Sequence, residues 1–267
     1  FTIMDNISVS GNKIYASGVA GIRLTNLRNV SITDNHILGA ASGEGIRLEG
    51  VSYLQVHGNK ITDGVGNGIR THTTACSHLD IKDNFVIRNT GCGMKLEGLS
   101  NSDISGNVVI DNDYINTNGY PGIGLVTDSD SNFIHGNKCR VTAAGTYQTY
   151  GIYVIGTSCE NNAVIGNDVR QGGRTAGLLD QGTGTVIRDN QGYATEARGT
   201  VSIVSGQTIG TATHGLAATP TNAVLSPITV MGSAATFYAT TLGATTFLAK
   251  VNTDPGTTVT FHWQAEV

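Results

Sequence analysis

An asparagine returns along this chain at a nearly fixed interval. It stands at Asn12, Asn35, Asn59, Asn84, Asn107, Asn137, Asn167 and Asn190, with successive steps of 23, 24, 25, 23, 30, 30 and 23 residues. Each copy ends a short apolar run and follows a Gly or an Asp. A second element keeps the same phase. Gly-Ile-Arg-Leu-Glu at 45–49 returns as Gly-Ile-Arg-Thr-His at 68–72 and as Gly-Met-Lys-Leu-Glu at 93–97. A period in the low twenties with short alternating strands marks a solenoid, whose repeats bury their apolar faces against one another.

One coil can be written out. Residues 30–33 alternate as a strand, and Asp34 and Asn35 turn the chain. Residues 36–38 form a second strand, 39–44 a loop, 45–49 a third strand, and a turn over 50–53 leads to Leu54, where the cycle restarts. Three short strands per coil predict an all-β chain wound as a parallel β-helix of about eight coils, each strand stacked about 4.8 Å above its equivalent. The period of two along a strand turns Ile46 and Leu48 inward and Arg47 and Glu49 outward. The recurring Asn lies at a sharp turn, where its amide can bond the Asn above and below. The recurring Gly (Gly21, Gly45, Gly68, Gly93, Gly122, Gly151, Gly177) suits a loop exit with unusual dihedrals.

This pattern resembles the right-handed parallel β-helix of the pectate-lyase-like superfamily over residues 1–191. The resemblance implies that an Asn-ladder turn joins the family's second strand to its third. The Gly-Ile-Arg-Leu-Glu strand then corresponds to the first, whose outer face carries the substrate groove. Residues 1–4 read as one more groove strand with no capping helix before them, so the chain is expected to be the C-terminal part of something longer.

The two steps of 30 mean about seven extra residues each, at 111–120 and at 143–150. Both stretches lead into the groove strand and should wall the groove, and long loops on a rigid scaffold are where function tends to sit. From Gly192 the period stops. Alternating strands at 200–209, 223–230, 236–242, 245–251 and 257–264 predict a small antiparallel β-sandwich over 192–267, with Val259, Phe261 and Trp263 on one face. The stretch Thr-His-Gly-Leu-Ala-Ala-Thr-Pro at 213–220 and the Phe-His-Trp-Gln-Ala ending resemble the C-terminal sandwich domains of phage tail and tailspike proteins. That resemblance implies a homotrimer held by this domain, and a location on a virion tail or outside the cell.

Composition narrows the partners. A net charge of −4 over 267 residues points neither to nucleic acid nor to an anionic membrane, and no apolar run is long enough to insert into a bilayer. Cys76, Cys92, Cys139 and Cys159 contain no CxxC pair, which leaves no zinc motif. Cys76 and Cys159 fall about three coils apart, roughly 14 Å, too far for a disulfide. All four are expected free, and neither metal nor cofactor is expected.

Two outward columns run along the groove face. One is Arg23, Arg47, Arg70, Lys95, Gly124, Tyr153; the other is Thr25, Glu49, His72, Glu97, Val126, Ile155. Like charges stacked at about 5 Å cost on the order of 1–3 kcal/mol at intermediate dielectric, so something must offset the basic column. Either Glu49 and Glu97 pair with the bases, or Arg23, Arg47, Arg70 and Lys95 bind an anionic polymer, Arg presenting a fork to carboxylates. Glu49 and Glu97 lie two rungs apart, about 9.6 Å between backbones. Inverting glycosidases hold their carboxyls about 6.5–9.5 Å apart. His72 between them could assist by moving protons. Asp180 is a further carboxylate near this column, in a register that sequence counting leaves ambiguous. Tyr114, Tyr120, Tyr147, Tyr150 and Tyr153 crowd the same region, and aromatic rings pack on the C–H faces of sugars. His214, in a sandwich turn, is expected to have no catalytic role.

The sequence therefore points to a tailspike-like depolymerase that binds and cleaves an acidic surface polysaccharide, by hydrolysis with Glu49, Glu97 and His72. A metal-free uronate lyase using Arg47, Arg70, Lys95 and His72 is the alternative within the enzyme class. The calcium-binding Asp cluster of pectate lyases is not evident on this face. A non-catalytic receptor-binding or structural spike is the alternative outside that class.

Overall fold

In the computed structural model, residues 6–15, 18–39, 43–72, 74–115, 119–142 and 147–267 are described. The groove strand expected at 1–4 lies outside them, as do 116–118 and 143–146 of the two long loops. The chain divides into two compact units, Phe1–Gly192 and Tyr193–Val267.

The first unit is a parallel β-helix built from three sheets. Six strands, Lys13–Tyr15, His36–Leu38, Lys60–Thr62, Phe85–Ile87, Val108–Ile110 and Lys138–Arg140, form one sheet. A second sheet runs from Ser8–Ser10 through Ser52–His57 and Cys76–Lys82 to Val186–Arg188. The groove sheet has seven strands: Ala20–Thr25, Glu44–Glu49, Ile69–Thr71, Met94–Glu97, Ile123–Val126, Tyr150–Ile155 and Ala176–Asp180. It makes about seven turns where eight ladder asparagines suggested eight coils, because eight corners enclose seven intervals. Inside, equivalent residues stack from coil to coil. Ile22, Ile46, Ile69, Met94, Ile123, Ile152 and Leu178 share one register, all buried.

The corners are where backbone polar groups would otherwise be stranded, and the asparagines serve them. From Asn12 to Asn167, each side chain donates from Nδ2 to the Oδ1 of the next ladder Asn at 2.9–3.0 Å. The same Oδ1 accepts the backbone N–H of the Asn one coil back, also at 2.9–3.0 Å. From Asn35 to Asn190, Nδ2 also donates to a strand carbonyl of the preceding coil at 2.7–2.9 Å. Two donations and two acceptances satisfy the amide in full. The residue before each Asn is left-handed, as with Asp34 at φ 55° and Asp83 at φ 55°, which explains why only Gly or Asp precedes it.

Two further ladders occupy other corners. Asn89 donates to Asn112 at 2.9 Å, and the Asn112 N–H to Gln148 Oε1 at 3.3 Å. At another corner the Ser102 N–H donates to Asn132 Oδ1 at 3.2 Å, and Asn132 Nδ2 to Asn162 Oδ1 at 3.1 Å.

The recurring glycines have a different cause from the one the sequence suggests. Gly45, Gly68 and Gly93 are not left-handed. A Cβ on Gly45 would lie 2.7 Å from the Gly68 carbonyl oxygen and 2.4 Å from Ile61, and the same collision recurs at Gly21, Gly68 and Gly93. These positions need space for the next coil, not dihedral freedom. All four cysteines are free and buried, as expected. Burial pushes the Cys92 thiol up to about 12, so it acts as a packing group.

The second unit packs two antiparallel three-stranded sheets. Glu196–Ile203 and Asn222–Pro227 flank Val259–Glu266, while Ile209–Thr213 and Phe237–Thr240 flank Thr246–Val251. Val259, Phe261 and Trp263 face the core with Phe247 and Val251. The single strand expected at 200–209 is two strands in different sheets. The chain turns at Gly206, φ 85°, with the Gln207 N–H bonded to the Val204 carbonyl at 3.1 Å. His214 is buried, bonded through Nε2 to the Gly243 carbonyl oxygen and accepting the Leu216 N–H at Nδ1, which is a structural role.

Replacing Asn84 by Ala is expected to destabilise the β-helix by about 1–3 kcal/mol, because the Asn59 amide then loses its acceptor inside the corner. Urea unfolding followed by circular dichroism checks this. An unchanged midpoint would mean that the ladder contributes nothing.

Candidate functional site

The groove sheet carries its outer side chains in two columns set by strand register. Arg23, Arg47, Arg70, Lys95, Gly124 and Tyr153 pair in sequence, as expected. The second column holds for Thr25 with Glu49, and for Glu97 with Val126 and Ile155. The assigned strand ends at Thr71, but the backbone runs on beside Glu49, where the His72 N–H donates to the Leu48 carbonyl at 2.9 Å. Thr71 is buried where neighbouring coils have Leu48 and Leu96. Its hydroxyl donates to the Glu97 carbonyl at 2.9 Å and accepts the Glu97 N–H at 2.7 Å. The Thr71 hydroxyl thereby occupies both backbone groups of Glu97, and the strand pairing is interrupted on that side only. Asp180 departs from the acidic column, since it pairs with Val154, one position earlier.

The charged side chains form one alternating chain across four strands. Arg23 meets Glu49 at 2.9 Å, Glu49 meets Arg47 at 2.6 Å, and Arg47 meets Glu44 at 3.7 Å. Glu44 meets Arg70 at 2.9 Å, Arg70 meets Glu97 at 2.8 Å, and Glu97 meets Lys95 at 2.9 Å. Glu44 was missing from the sequence-derived columns. The groove strand begins one residue earlier than the Gly-Ile-Arg-Leu-Glu repeat, and Glu44 sits on that extra residue, three before Arg47. The repeat does not flag it, since Asn67 and Cys92 precede Gly in the next two coils.

The two signs lie at different depths. Side-chain exposure is 8–11% for the three glutamates but 21–51% for the four bases. The acids form the floor and the bases the rim, so a molecule entering the groove meets cations first. Four bases against three acids leave one net positive charge, and both ends of the chain are basic. Alternation removes the repulsion that a column of like charges would carry.

This arrangement keeps the glutamates ionised. A hydrogen bond from Arg23 pulls the Glu49 carboxyl down to about 2 against the penalty of burial, with Arg47 adding to the effect. Burial pushes the Glu97 carboxyl up, but Lys95 and Arg70 outweigh it and the net shift is downward. Burial likewise opposes the charge on Arg70, while Glu44 and Glu97 raise its affinity for the proton. A general acid must hold a proton and a general base must want one. In this geometry the basic partners favour the carboxylate form of both Glu49 and Glu97. The expected acid–base pair is found as two members of an ion-pair chain.

Arg70, Lys95 and Tyr120 come together around a cavity of about 220 Å³, with Asn67 and Thr90 on its wall. Tyr120 is placed there by its backbone N–H, which donates to Asp113 Oδ2 at 3.2 Å. Tyr150 and Tyr153 meet edge to face at 4.8 Å on the next part of the groove sheet, and the Tyr153 hydroxyl donates to Gln181 at 2.7 Å. Tyr114 lies against the Arg88 guanidinium, 5.6 Å from the ring centre, and is not among the residues lining this cavity. Tyr147 takes a left-handed backbone at φ 63° just before Gln148 of the corner ladder. Among the described residues no group of three or more His, Cys, Asp or Glu side chains is placed to hold a metal ion.

The sequence matches the family described as "Right handed beta helix region" over residues 3–139. No curated protein matches it. Among solved structures, the Dettilon tailspike protein (gp208) is similar at a TM-score of 0.58 and 16% identity, over 99% of this chain and 64% of that one. A mutant DFA-IIIase from Arthrobacter chlorophenolicus A6 in complex with DFA-III is similar at 0.57 and 18%, over 73% of this chain and 47% of that one. The A-module of the Azotobacter vinelandii mannuronan C-5 epimerase AlgE6 is similar at 0.52 and 13%, over 70% of this chain and 58% of that one. At such identities these likenesses concern the fold. The chain spans less than two thirds of the length of each.

The pairing of Glu49 has a consequence for acid stability. Its carboxyl is held at about 2 against an ordinary 4.5, so the folded state binds the proton less tightly than the unfolded state does. The stabilisation is fully present above about pH 4.5 and is lost as pH falls from there toward 2. Scanning calorimetry from pH 7 to pH 2 is expected to show a fall in Tm over that window, shallower in Glu49→Gln. Parallel curves for the two proteins would contradict the pairing.

Proposed function

We propose, for a chain that belongs to the right handed beta helix family, that the groove sheet binds an acidic polysaccharide and that the protein is a depolymerase of such polymers. One observation carries this: the alternating charge chain has a basic rim, a net positive charge, and an end at Arg70 and Lys95 that opens on the cavity beside Tyr120. A sugar carboxylate fits the guanidinium fork of Arg70, and the ring of Tyr120 offers a surface for a sugar C–H face. The similar structures include a tailspike protein and a mannuronan C-5 epimerase, which supports polysaccharide as the class of ligand.

Hydrolysis through Glu49 and Glu97 requires that substrate binding release them. An arriving carboxylate that takes the donors of Arg70 and Lys95 leaves Glu97 with weaker partners in a buried setting, and its affinity for a proton rises. Glu97 then becomes the proton donor, and Glu49, still held by Arg23 and Arg47, stays ionised on the far side of the bond, with His72 on the adjoining coil. Elimination is the second reading, favoured by the ionised resting state of the glutamates. Arg70 would neutralise the uronate carboxylate, and Lys95 or His72 would remove the α-proton. If the groove only binds, the protein is a receptor-binding or structural spike.

We also propose that residues 193–267 assemble three copies of the chain on a virion tail or another extracellular particle. Val224, Ile228 and Val230 of that unit are 49–86% exposed, an apolar surface that self-association would cover. Sedimentation of the full chain is expected to give a trimer, and a monomer at micromolar concentration would rule this assembly out.

Binding of a polyuronate fragment is expected to weaken at least about 10-fold in Arg70→Ala and in Lys95→Ala, with a larger loss at low salt where exposed charges are least screened. Under hydrolysis, Glu97→Gln loses turnover by at least about 100-fold while still binding, and the parent releases only reducing ends. Unsaturated ends from the parent, with activity retained in Glu97→Gln, select elimination. Binding that survives both Arg70→Ala and Lys95→Ala would overturn the groove assignment.

A further inference from the structure

We infer that the corner carrying Tyr53 and His78, on the second sheet rather than the groove sheet, is a separate binding site for a neutral saccharide. Strand register aligns Asn6, Asn29, Tyr53, His78, Asn101, Ser131, Asn161 and Gly184 in one column, one residue per coil. Every member is left-handed, with φ between 50° and 66°. That conformation suits Gly, Asn, Asp and His and penalises other bulky residues, so that Tyr53 is the strained member of the column. Six of the eight positions carry Asn, Ser or Gly; two adjacent coils carry large rings instead. Strain of this kind persists where something other than local stability selects the residue.

The rings are arranged as a platform. Tyr53 and His78 stack with centroids 4.7 Å apart and planes inclined by 20°, and Tyr53 remains 55% exposed. Beside Tyr53 lies a cavity of about 380 Å³, whose polar walls come from Asn6, Ser8, Asn29, Ser31 and Gln55. Amides, hydroxyls and one aromatic wall, with no ionised side chain among the lining residues, match the chemistry of a sugar whose hydroxyls take hydrogen bonds and whose C–H face rests on a ring. The absence of charge there separates this ligand from the anionic one proposed for the groove. Beyond Gln55 the face changes character. Gln55 is paired with Asp80, where Lys82 bridges Asp80 and Asp103 and the imidazoles of His57 and His135 lie against those carboxylates, so the neutral pocket is bounded on that side by charge.

The column itself supplies the test. Asn is the residue that Asn29 and Asn101 place at the same backbone position on either side of the two rings, so Tyr53→Asn removes the ring while relieving the backbone. Parent, Tyr53→Asn and Arg70→Ala are each titrated with cellohexaose, maltohexaose and mannohexaose by saturation-transfer NMR, and their Tm values are measured. The expected result is that at least one hexaose binds the parent, with saturation transferred to the C–H protons of its sugar rings. Its affinity falls at least about 10-fold in Tyr53→Asn and is unchanged in Arg70→Ala, which keeps this site distinct from the groove. The Tm of Tyr53→Asn is expected to stay level or rise. No binding by any of the three hexaoses, affinity in Tyr53→Asn within twofold of the parent, or a Tm lowered by more than about 2 °C, which would give the stacked rings a structural role, overturns the inference.

Discussion

A coil of about 23 residues must turn three corners, and at each corner backbone groups leave the strand ladder. In this chain a primary amide closes the account. The asparagine side chain donates once to the asparagine of the next coil and once to a strand carbonyl, and it accepts both the side-chain and the backbone N–H of the asparagine one coil back. Corner and stacking are therefore the same interaction. Every strand keeps its register because the amide beneath it admits one position only. The left-handed residue before each Asn, and the glycines that let the next carbonyl pass at van der Waals contact, are conditions this ladder imposes on its neighbours.

The register then brings charge together. Four bases in one column would repel, and the coil cannot shift to relieve them. Three glutamates beneath the bases absorb the repulsion and set an order of depth, acids below and bases above. The same pairing that makes the face tolerable holds Glu49 and Glu97 away from proton transfer until something competes for their partners. In the function proposed above a polyanion is that competitor, and recognition and activation then draw on one set of contacts.

Backbone strain gives a second view of selection along the helix. Left-handed corner positions filled by Asn, Ser or Gly cost little, and they recur where a coil has only to turn. Tyr53 breaks that rule, stacked on His78 and lining a polar uncharged pocket. A regular scaffold makes such departures easy to recognise, since each coil serves as the control for its neighbours.

Periodicity was written plainly in the chain. The Asn spacing, the alternation of Ile46, Arg47, Leu48 and Glu49, and the change of pattern at Gly192 were legible because solenoid contacts are local and repeat with the sequence. The basic column was legible for the same reason. Three things were not. The steric cause of the glycine column lies in a carbonyl contributed by the next coil, 23 or more residues away. The interruption of the strand ladder between Thr71 and Glu97 turns on one hydroxyl, Thr71, which takes the backbone groups of Glu97. Glu44 enters the network through a strand that starts one residue before the repeat does. Sequence determined which residues recur. Tertiary structure decided which of them meet, because hydrogen bonds and ion pairs depend on side-chain tips and strand ends that a repeat period does not encode.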